Sequence, residues 1–246
     1  MDHRPYFRST PNANTGILLI HGILSTPRHF DFLIPHIPNE YAVSNILLAG
    51  HGGSVKDFYK ASMAQWQQQV EQQILKMSQT CGNIILIGHS LGALLALQAA
   101  CKFDCIRGLF LLNPPLLPRV QPSMMGRSIR FAFDKLRPDD IGDVLCHKDL
   151  SIQLEPYLWK YLGWIPNFIS LLQLAAKCRK IPAALDIPCH AFIGMQDELV
   201  NPKTAKYFPE NPNISLEILE NGVHFGYFPE EQSRIIAGFL EFFLGI

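Results

Sequence analysis

The stretch from Ile84 to Cys101, IILIGHSLGALLALQAAC, is 18 residues long and carries no formal charge with His89 neutral. Two folds can accommodate such a run. It meets the lower length limit of a transmembrane helix, or it divides into a buried strand, a turn and a buried helix. The sequence at its centre, Gly88-His89-Ser90-Leu91-Gly92, favours division, because a helix in lipid has little use for an imidazole and a hydroxyl between two glycines. Ile84–Ile87 then reads as a strand and Ala93–Cys101 as a helix built from good helix formers. The chain has no second hydrophobic span of this kind, so a soluble strand–turn–helix is expected.

The flanking sequence repeats that rhythm. Ile17–Ile20 and Val43–Leu48 read as short buried strands, followed by His21-Gly22 and by the glycine-rich Ala49-Gly50-His51-Gly52-Gly53-Ser54. Pro27 to about Ile37 reads as a helix interrupted by Pro35. Ser62 opens another helix, with Gln65 three residues on as a capping box. In that helix Trp66, Val70, Ile74 and Met77 fall on one face and glutamines cover the other. Leu109–Leu112 is a further strand, stopped by Asn113-Pro114-Pro115. Ala191–Ile193 and Ile214–Leu219 are the last two strands. The final helix, from Pro229, is expected to bury Ile235, Ile236, Phe239, Leu240 and Phe243. Apolar strands alternating with helices imply a parallel sheet covered on both faces. The expected class is α/β, with a mostly parallel central sheet of six to eight strands.

Residues 116–182 break the rhythm. They are rich in Met, Phe, Leu, Trp and Pro with basic residues among them, and part of the segment suits amphipathic helices. An insertion after a strand's C-terminal end lies at the edge where open α/β sheets bind ligands. Residues 1–115 and 183–246 are therefore expected to form the core, and 116–182 a helical cap over a pocket.

Composition excludes several function classes. Lys+Arg and Asp+Glu both number 21, so there is no basic excess of the kind that nucleic acid or anionic membrane partners select. The N-terminus is polar, without the apolar core of a secretory signal. The six cysteines show no C-x-x-C spacing or paired framework and read as reduced thiols in a cytoplasmic protein. Neither a metal nor an organic cofactor is implied.

The residues that carry chemistry lie at strand ends. Gly88-His89-Ser90-Leu91-Gly92 fits the G-x-S-x-G pattern, with a strand before it and a helix after it. Such a turn pushes the Ser90 hydroxyl above the sheet and points the Leu91 N–H toward a reacting carbonyl oxygen. A serine hydroxyl needs a base, and the base needs an orienting acid. Of nine histidines, His224 is placed best, on a loop directly after the last strand. Asp197 follows the preceding strand and is the expected acid, with Glu198 the alternative; Asp186 lies at the wrong end of that strand. His21 and His51 suit loop shaping, and Asn113 occupies the other strand end from which an acid might have projected. A second oxyanion donor is expected from the Ile23 amide, with Gly22 turning the backbone toward the site.

Together the His-Gly-Ile loop, the Gly-His-Ser-Leu-Gly elbow, Gly194-Met195-Gln196-Asp197-Glu198 and Val223-His224-Phe225 resemble the α/β-hydrolase superfamily. The layout is similar to that of bacterial carboxylesterases and monoacylglycerol lipases, which carry HGxxxxP after the first main strand (here His21 to Pro27) and a GHG loop after the next. The resemblance spans nearly the whole chain except the cap. It implies Ser90, Asp197 and His224 as a catalytic triad, Ile23 and Leu91 as oxyanion-hole amides, and hydrolysis of carboxylic esters with neutral, moderately hydrophobic acyl groups through an acyl-enzyme. Val223 stands where a glycine is common, and residues 1–15 are short for the two strands that often open the sheet. Two other readings share the fold: a lyase or C–C hydrolase, for which Arg119, Arg127 and Arg130 would form an anion-binding cluster, and a non-catalytic binding protein, which usually lacks a triad residue. The expected partner is a small-molecule ester, with neither nucleic acid nor integral membrane association; acyl length, alcohol group and oligomeric state are open at this stage.

Overall fold

The computed structural model describes residues 3–133 and 135–245. Seven strands form one sheet: β1 (Tyr6–Arg8), β2 (Thr15–Ile20), β3 (Ala42–Ile46), β4 (Asn83–His89), β5 (Ile106–Leu112), β6 (Cys189–Gly194) and β7 (Ile214–Leu219). Their spatial order is β1-β3-β2-β4-β5-β6-β7. Only the edge strand β1 is antiparallel; every other pairing is parallel. The strands are apolar on both faces because both faces are covered. Leu18, Ile20, Ile84, Leu86, Leu109 and Leu111 point into one core, whereas Ile17, Leu19, Ile85, Ile87, Phe110 and Leu112 point into the other.

Among the described residues, seven α-helices accompany the sheet: α1 (Val55–Lys60), α2 (Met63–Ser78), α3 (Leu91–Ala100), α4 (Pro122–Ala132), α5 (Ile141–Asp149), α6 (Ile165–Cys178) and α7 (Pro229–Leu244). Trp66, Val70, Ile74 and Met77 of α2 are buried in the first core with the apolar residues of α3, while Ile235, Phe239 and Phe242 of α7 fill the second. The segment Ile84–Cys101 thus runs through β4 and α3. Its helix is apolar all round because α6 packs over it, where the Cys178 thiol donates to the Leu94 carbonyl at 3.6 Å. Among the described residues, no helix is long and apolar enough to cross a membrane.

Local details differ from the sequence expectation in four places. Pro27 to Ile37 is not one helix but two short 3-10 turns, Pro27–Phe30 and Ile34–His36. Pro27, Pro35 and Pro38 supply no N–H, and the chain closes i→i+3 bonds such as Leu33 N to Phe30 O at 2.9 Å instead. Ser62 caps α2 by accepting from Gln65 N at 3.3 Å, but the reciprocal half of a capping box forms at Ser54 and Asp57 of α1, not here. Leu240 is 45 % exposed on the outer side of α7, and Phe242 takes the buried position. The strand β1 was not anticipated; it is held where the Arg8 guanidinium donates to the carbonyls of Ile37, Pro38 and Tyr41.

The chain between β5 and β6 holds α4, α5 and α6, joined by a 3-10 stretch, Leu158–Trp164. It is tied to the sheet's C-terminal edge. Trp164 Nε1 donates to Val55 O at 3.0 Å, and Asn167 Nδ2 donates to Phe58 O at 3.2 Å.

Candidate active site

Ser90, Asn113, Asp197, His224 and Ile23 all come from the C-terminal ends of parallel strands. Ser90 closes the turn between β4 and α3 with φ 51° and ψ −117°, a conformation strained for any side-chain-bearing residue. Its N–H is fixed by Leu112 O at 2.9 Å. The glycines on either side make the turn feasible. A Cβ on Gly88 would lie 2.6 Å from the Ala93 nitrogen, and one on Gly92 would overlap the Ile20 carbonyl oxygen.

His224 lies between Ser90 and Asp197. Its Nε2 is 3.0 Å from Ser90 Oγ, and its Nδ1 is 2.7 Å from Asp197 Oδ2. The carboxylate can only accept, so Nδ1 carries the proton and Nε2 is left to accept from the serine hydroxyl. All three residues are buried, and Asp197 is wholly so. Burial opposes a charged imidazole, but the charge and hydrogen bond of Asp197 outweigh it and hold the His224 pKa above its ordinary value.

The loops that carry the acid and the histidine are fastened in register. Asp197 Oδ1 accepts from Leu199 N and Val200 N, both at 2.7 Å. The Asp197 carbonyl accepts from Arg119 Nε and Nη2, and an antiparallel strap from Leu117 to Gln121 bonds Glu198, Leu199 and Asn201. Asn113, at φ 47°, bridges two strand ends: its Nδ2 donates to Val223 O at 3.1 Å and its Oδ1 accepts from Gly194 N at 2.8 Å. Glu198 does not face the imidazole. It accepts from the His224 backbone N–H at 3.3 Å and from Arg127 Nη1 at 2.9 Å. The sequence offered Asn113 only as a strand-end residue and did not reveal this bridging role.

Leu91 directly follows Ser90 and Ile23 directly follows Gly22, and among the described residues neither backbone amide donates to a loop or side-chain acceptor. Gly22 brings the first loop close, since a Cβ there would lie 3.0 Å from the Ser90 Cβ and 2.8 Å from His89 Nδ1. His21 and His51 shape this region as neutral rings. His21 Nε2 accepts from Leu48 N at 3.0 Å, and His51 Nε2 accepts from Leu24 N at 3.0 Å. Burial pushes the His21 pKa down to about 3 and that of His51 well below its ordinary value.

An apolar cavity of about 180 Å³ opens between the segment after β5 and the loops that follow β2 and β7. Leu24 and Phe225, the neighbours of Ile23 and His224, form its floor; Met124, Phe131, Leu154 and Trp164 are among its walls. The three arginines do not offer a free anion cluster. Arg119 is spent on the Asp197 carbonyl, and Arg127 and Arg130 both bind Asp143 at 2.8 and 2.6 Å.

One group of potential metal ligands exists among the described residues: His29, His89 and Asp149, with ligand atoms within 4.8 Å of one another. The two imidazoles stack with centroids 3.7 Å apart and planes 18° apart. Their in-plane lone pairs therefore run side by side instead of converging, and His29 Nδ1 is already bonded to Asp149 at 2.9 Å. The trio is a hydrogen-bonded stack, poorly shaped for an ion.

The family model for the alpha/beta hydrolase family matches residues 17–237. The chain belongs to that family. A mouse protein described as serine hydrolase-like is 27 % identical over 103 residues, 41 % of this chain and 32 % of its own, so the chain matches about a third of that curated relative's length. Among solved structures, the metagenome-derived lipolytic enzymes LipS and LipT provide one that aligns over 98 % of this chain and 97 % of its own, with TM-score 0.71 and 16 % identity. The Paleococcus ferrophilus monoacylglycerol lipase aligns over 98 % of both chains, with TM-score 0.70 and 17 % identity. At these identities the likeness is one of fold alone.

Proposed function

We propose that the protein is a serine hydrolase cleaving carboxylic esters of neutral, moderately hydrophobic acyl groups. The observation that carries this reading is the continuous hydrogen-bonded chain from Ser90 Oγ through His224 to Asp197. An apolar cavity beside it supports a hydrophobic acyl group. Residues 116–182 act as the cap that closes this cavity over the core formed by 1–115 and 183–246.

In the reaction, His224 Nε2 takes the Ser90 proton as Ser90 Oγ attacks the ester carbonyl. The carbonyl oxygen becomes an oxyanion bound by the Ile23 and Leu91 amides, the latter at the N-terminus of α3. His224 then gives its proton to the leaving alkoxide, which departs as the alcohol. Water, deprotonated by His224, attacks the acyl-enzyme, and collapse of the second tetrahedral intermediate returns the proton to Ser90. Asp197 holds the imidazole tautomer and stabilises its charged form in both halves.

A p-nitrophenyl ester series from acetyl to palmitoyl tests this reading with wild type and Ser90→Ala. Turnover at an intermediate chain length, lost in Ser90→Ala, is expected. No turnover at any length would overturn the ester reading, and turnover surviving in Ser90→Ala would overturn the role of the serine.

A further inference from the structure

The loop that carries the Ile23 amide is closed by one bond of its own, Ser25 N to Gly22 O at 3.2 Å, and takes the rest of its shape from its neighbours. Leu24 sits at φ 61°, a left-handed conformation that a leucine adopts only when its surroundings impose it. Four hydrogen bonds impose it here. From the core, His51 accepts from Leu24 N at 3.0 Å. From the segment after β5, Ser151 N and Ser151 Oγ both donate to Leu24 O, at 2.8 and 3.1 Å. One residue on, Ser25 Oγ donates to Asp149 Oδ2 at 2.9 Å.

Asp149 and Ser151 are only two residues apart at the C-terminal end of α5, and both are buried. The same Asp149 oxygen also accepts from His29 Nδ1 at 2.9 Å. His29 stacks on His89, and His89 Nε2 donates to the His224 carbonyl at 3.0 Å. One short stretch of the cap thus grips the oxyanion loop directly and reaches the histidine loop through two stacked rings. Without the cap, His51 and the Ser25–Gly22 turn bond would still hold the Leu24 and Ser25 N–H groups, but nothing would hold the Leu24 carbonyl against rotation.

We propose that Asp149 and Ser151 are positioning residues for the Ile23 amide: the docked cap, and not the core alone, holds the oxyanion loop in its working conformation. Resting on the esterase reading above, this makes hydrolysis depend on cap docking. When residues 149–151 lift away, Leu24 relaxes and the Ile23 N–H leaves the position where the oxyanion forms. Substrate that seats the cap then also completes the site that reacts with it, and an ill-fitting ester meets a hole with one donor.

The test compares Asp149→Ala, Asp149→Asn and the milder Ser25→Ala, which removes only the hydroxyl that donates to Asp149. Hydrogen exchange is measured on the full-length protein, with and without a trifluoromethyl ketone that adds to Ser90. In Asp149→Ala, the Leu24 and Ser25 amides are expected to exchange at least about tenfold faster while β4 and β5 stay protected. The kcat for p-nitrophenyl butyrate falls on the order of 10–100-fold, short of outright donor loss, with KM little changed. Affinity for the trifluoromethyl ketone falls by the same factor as kcat. Asp149→Asn keeps an oxygen acceptor and restores most of both; Ser25→Ala moves every readout the same way by less. Unchanged exchange at Leu24 and Ser25 overturns the inference whether or not the protein hydrolyses esters. So does a loss of kcat without a matching loss of ketone affinity, or a loss appearing only in KM. A wild type inactive on every ester overturns the esterase reading instead, and the exchange result then decides the latch by itself.

Discussion

Gly92 approaches Ile20 so closely that a Cβ at position 92 would overlap the Ile20 carbonyl oxygen. The contact joins the first turn of α3 to the end of β2, the strand that leads into His21-Gly22-Ile23. It sets how near the Ser90 turn comes to the Ile23 loop. Gly92→Ala must push the two apart, and backbone cannot yield as a flexible side chain can. Overpacking of this kind costs about 1–3 kcal/mol. The expected result is a lower melting temperature together with a kcat loss larger than stability accounts for at assay temperature. Ala93→Gly, one residue along, serves as control; equal kcat in wild type and Gly92→Ala would show that the contact does not set the site.

The 2.7 Å contact between His224 Nδ1 and Asp197 Oδ2 makes a pH prediction. Only neutral His224 can take the Ser90 proton. Because burial lowers its pKa but Asp197 raises it more, the acid limb of kcat/KM should have its midpoint above 6.5. Replacing Asp197 with Asn removes the stabilising charge, so the limb moves to lower pH and kcat drops by about 10⁴ through the wrong tautomer. Glu198→Gln keeps the acceptor for the His224 backbone but removes a charge that also raises the ring, so the limb should move to lower pH by less than in Asp197→Asn. Its cost falls on the bond to Arg127, about 1–3 kcal/mol of stability. Pre-steady-state and steady-state pH profiles of the three proteins decide between the two carboxylates.

Three histidines near the site should make folding acid-sensitive. Burial drives His21 down to about 3 and drives His51 and His89 well below the ordinary value. Their folded pKa values are depressed, so the unfolded chain takes up protons that the native state refuses. Their stabilisation is complete above about 6.5 and is lost as pH falls below it, at up to about 1.4 kcal/mol per pH unit for each ring. His224 works in the opposite sense: its raised pKa adds stability at low pH that fades as pH rises through it. Three rings against one should lower the melting temperature steadily from pH 7 to pH 5. A flat or rising melting temperature over that range, by calorimetry, would refute the account.

What the sequence made legible follows from how local each signal was. The elbow at Ser90 is written in five consecutive residues, because strand, turn and helix each need particular side chains, or none, at fixed offsets. His224 and Asp197 could be located because each follows directly on a strand of recognisable composition. Asn113 and the pair Asp149–Ser25 carry no such mark. Asp149 meets Ser25 across 124 positions of chain, and nothing near either residue announces the other. The stack of His29 on His89 is likewise set by tertiary packing: His89 reads as part of the elbow, and nothing near His29 in the sequence marks it as the partner. Residues 27–37 misled for the opposite reason: the apolar spacing suited a helix, but Pro35 lies in its interior, where it removes a donor that an α-helix would have used.

The apolar cavity lined by Leu24 and Phe225 makes the last prediction. Ala132 lies on its wall at the end of α4, with Phe131, Leu154 and Trp164 nearby. If acyl chains lie here, Ala132→Phe should fill the deep part of the space and shift the preferred p-nitrophenyl ester toward shorter chains. The acetyl ester, with no methylene to place in the cavity, should keep its kcat/KM within about twofold, while each methylene that formerly entered the cavity forfeits about 0.8 kcal/mol of binding. Trp164→Ala works the other way, enlarging the wall at the expense of the bond from its indole to Val55 O, so longer chains gain relative to shorter ones even as stability falls. Opposite displacements of the chain-length optimum in the two variants would mark this cavity as the acyl site. An optimum that stays put in both would place the acyl chain elsewhere, because no other wall of the cavity is altered by either change.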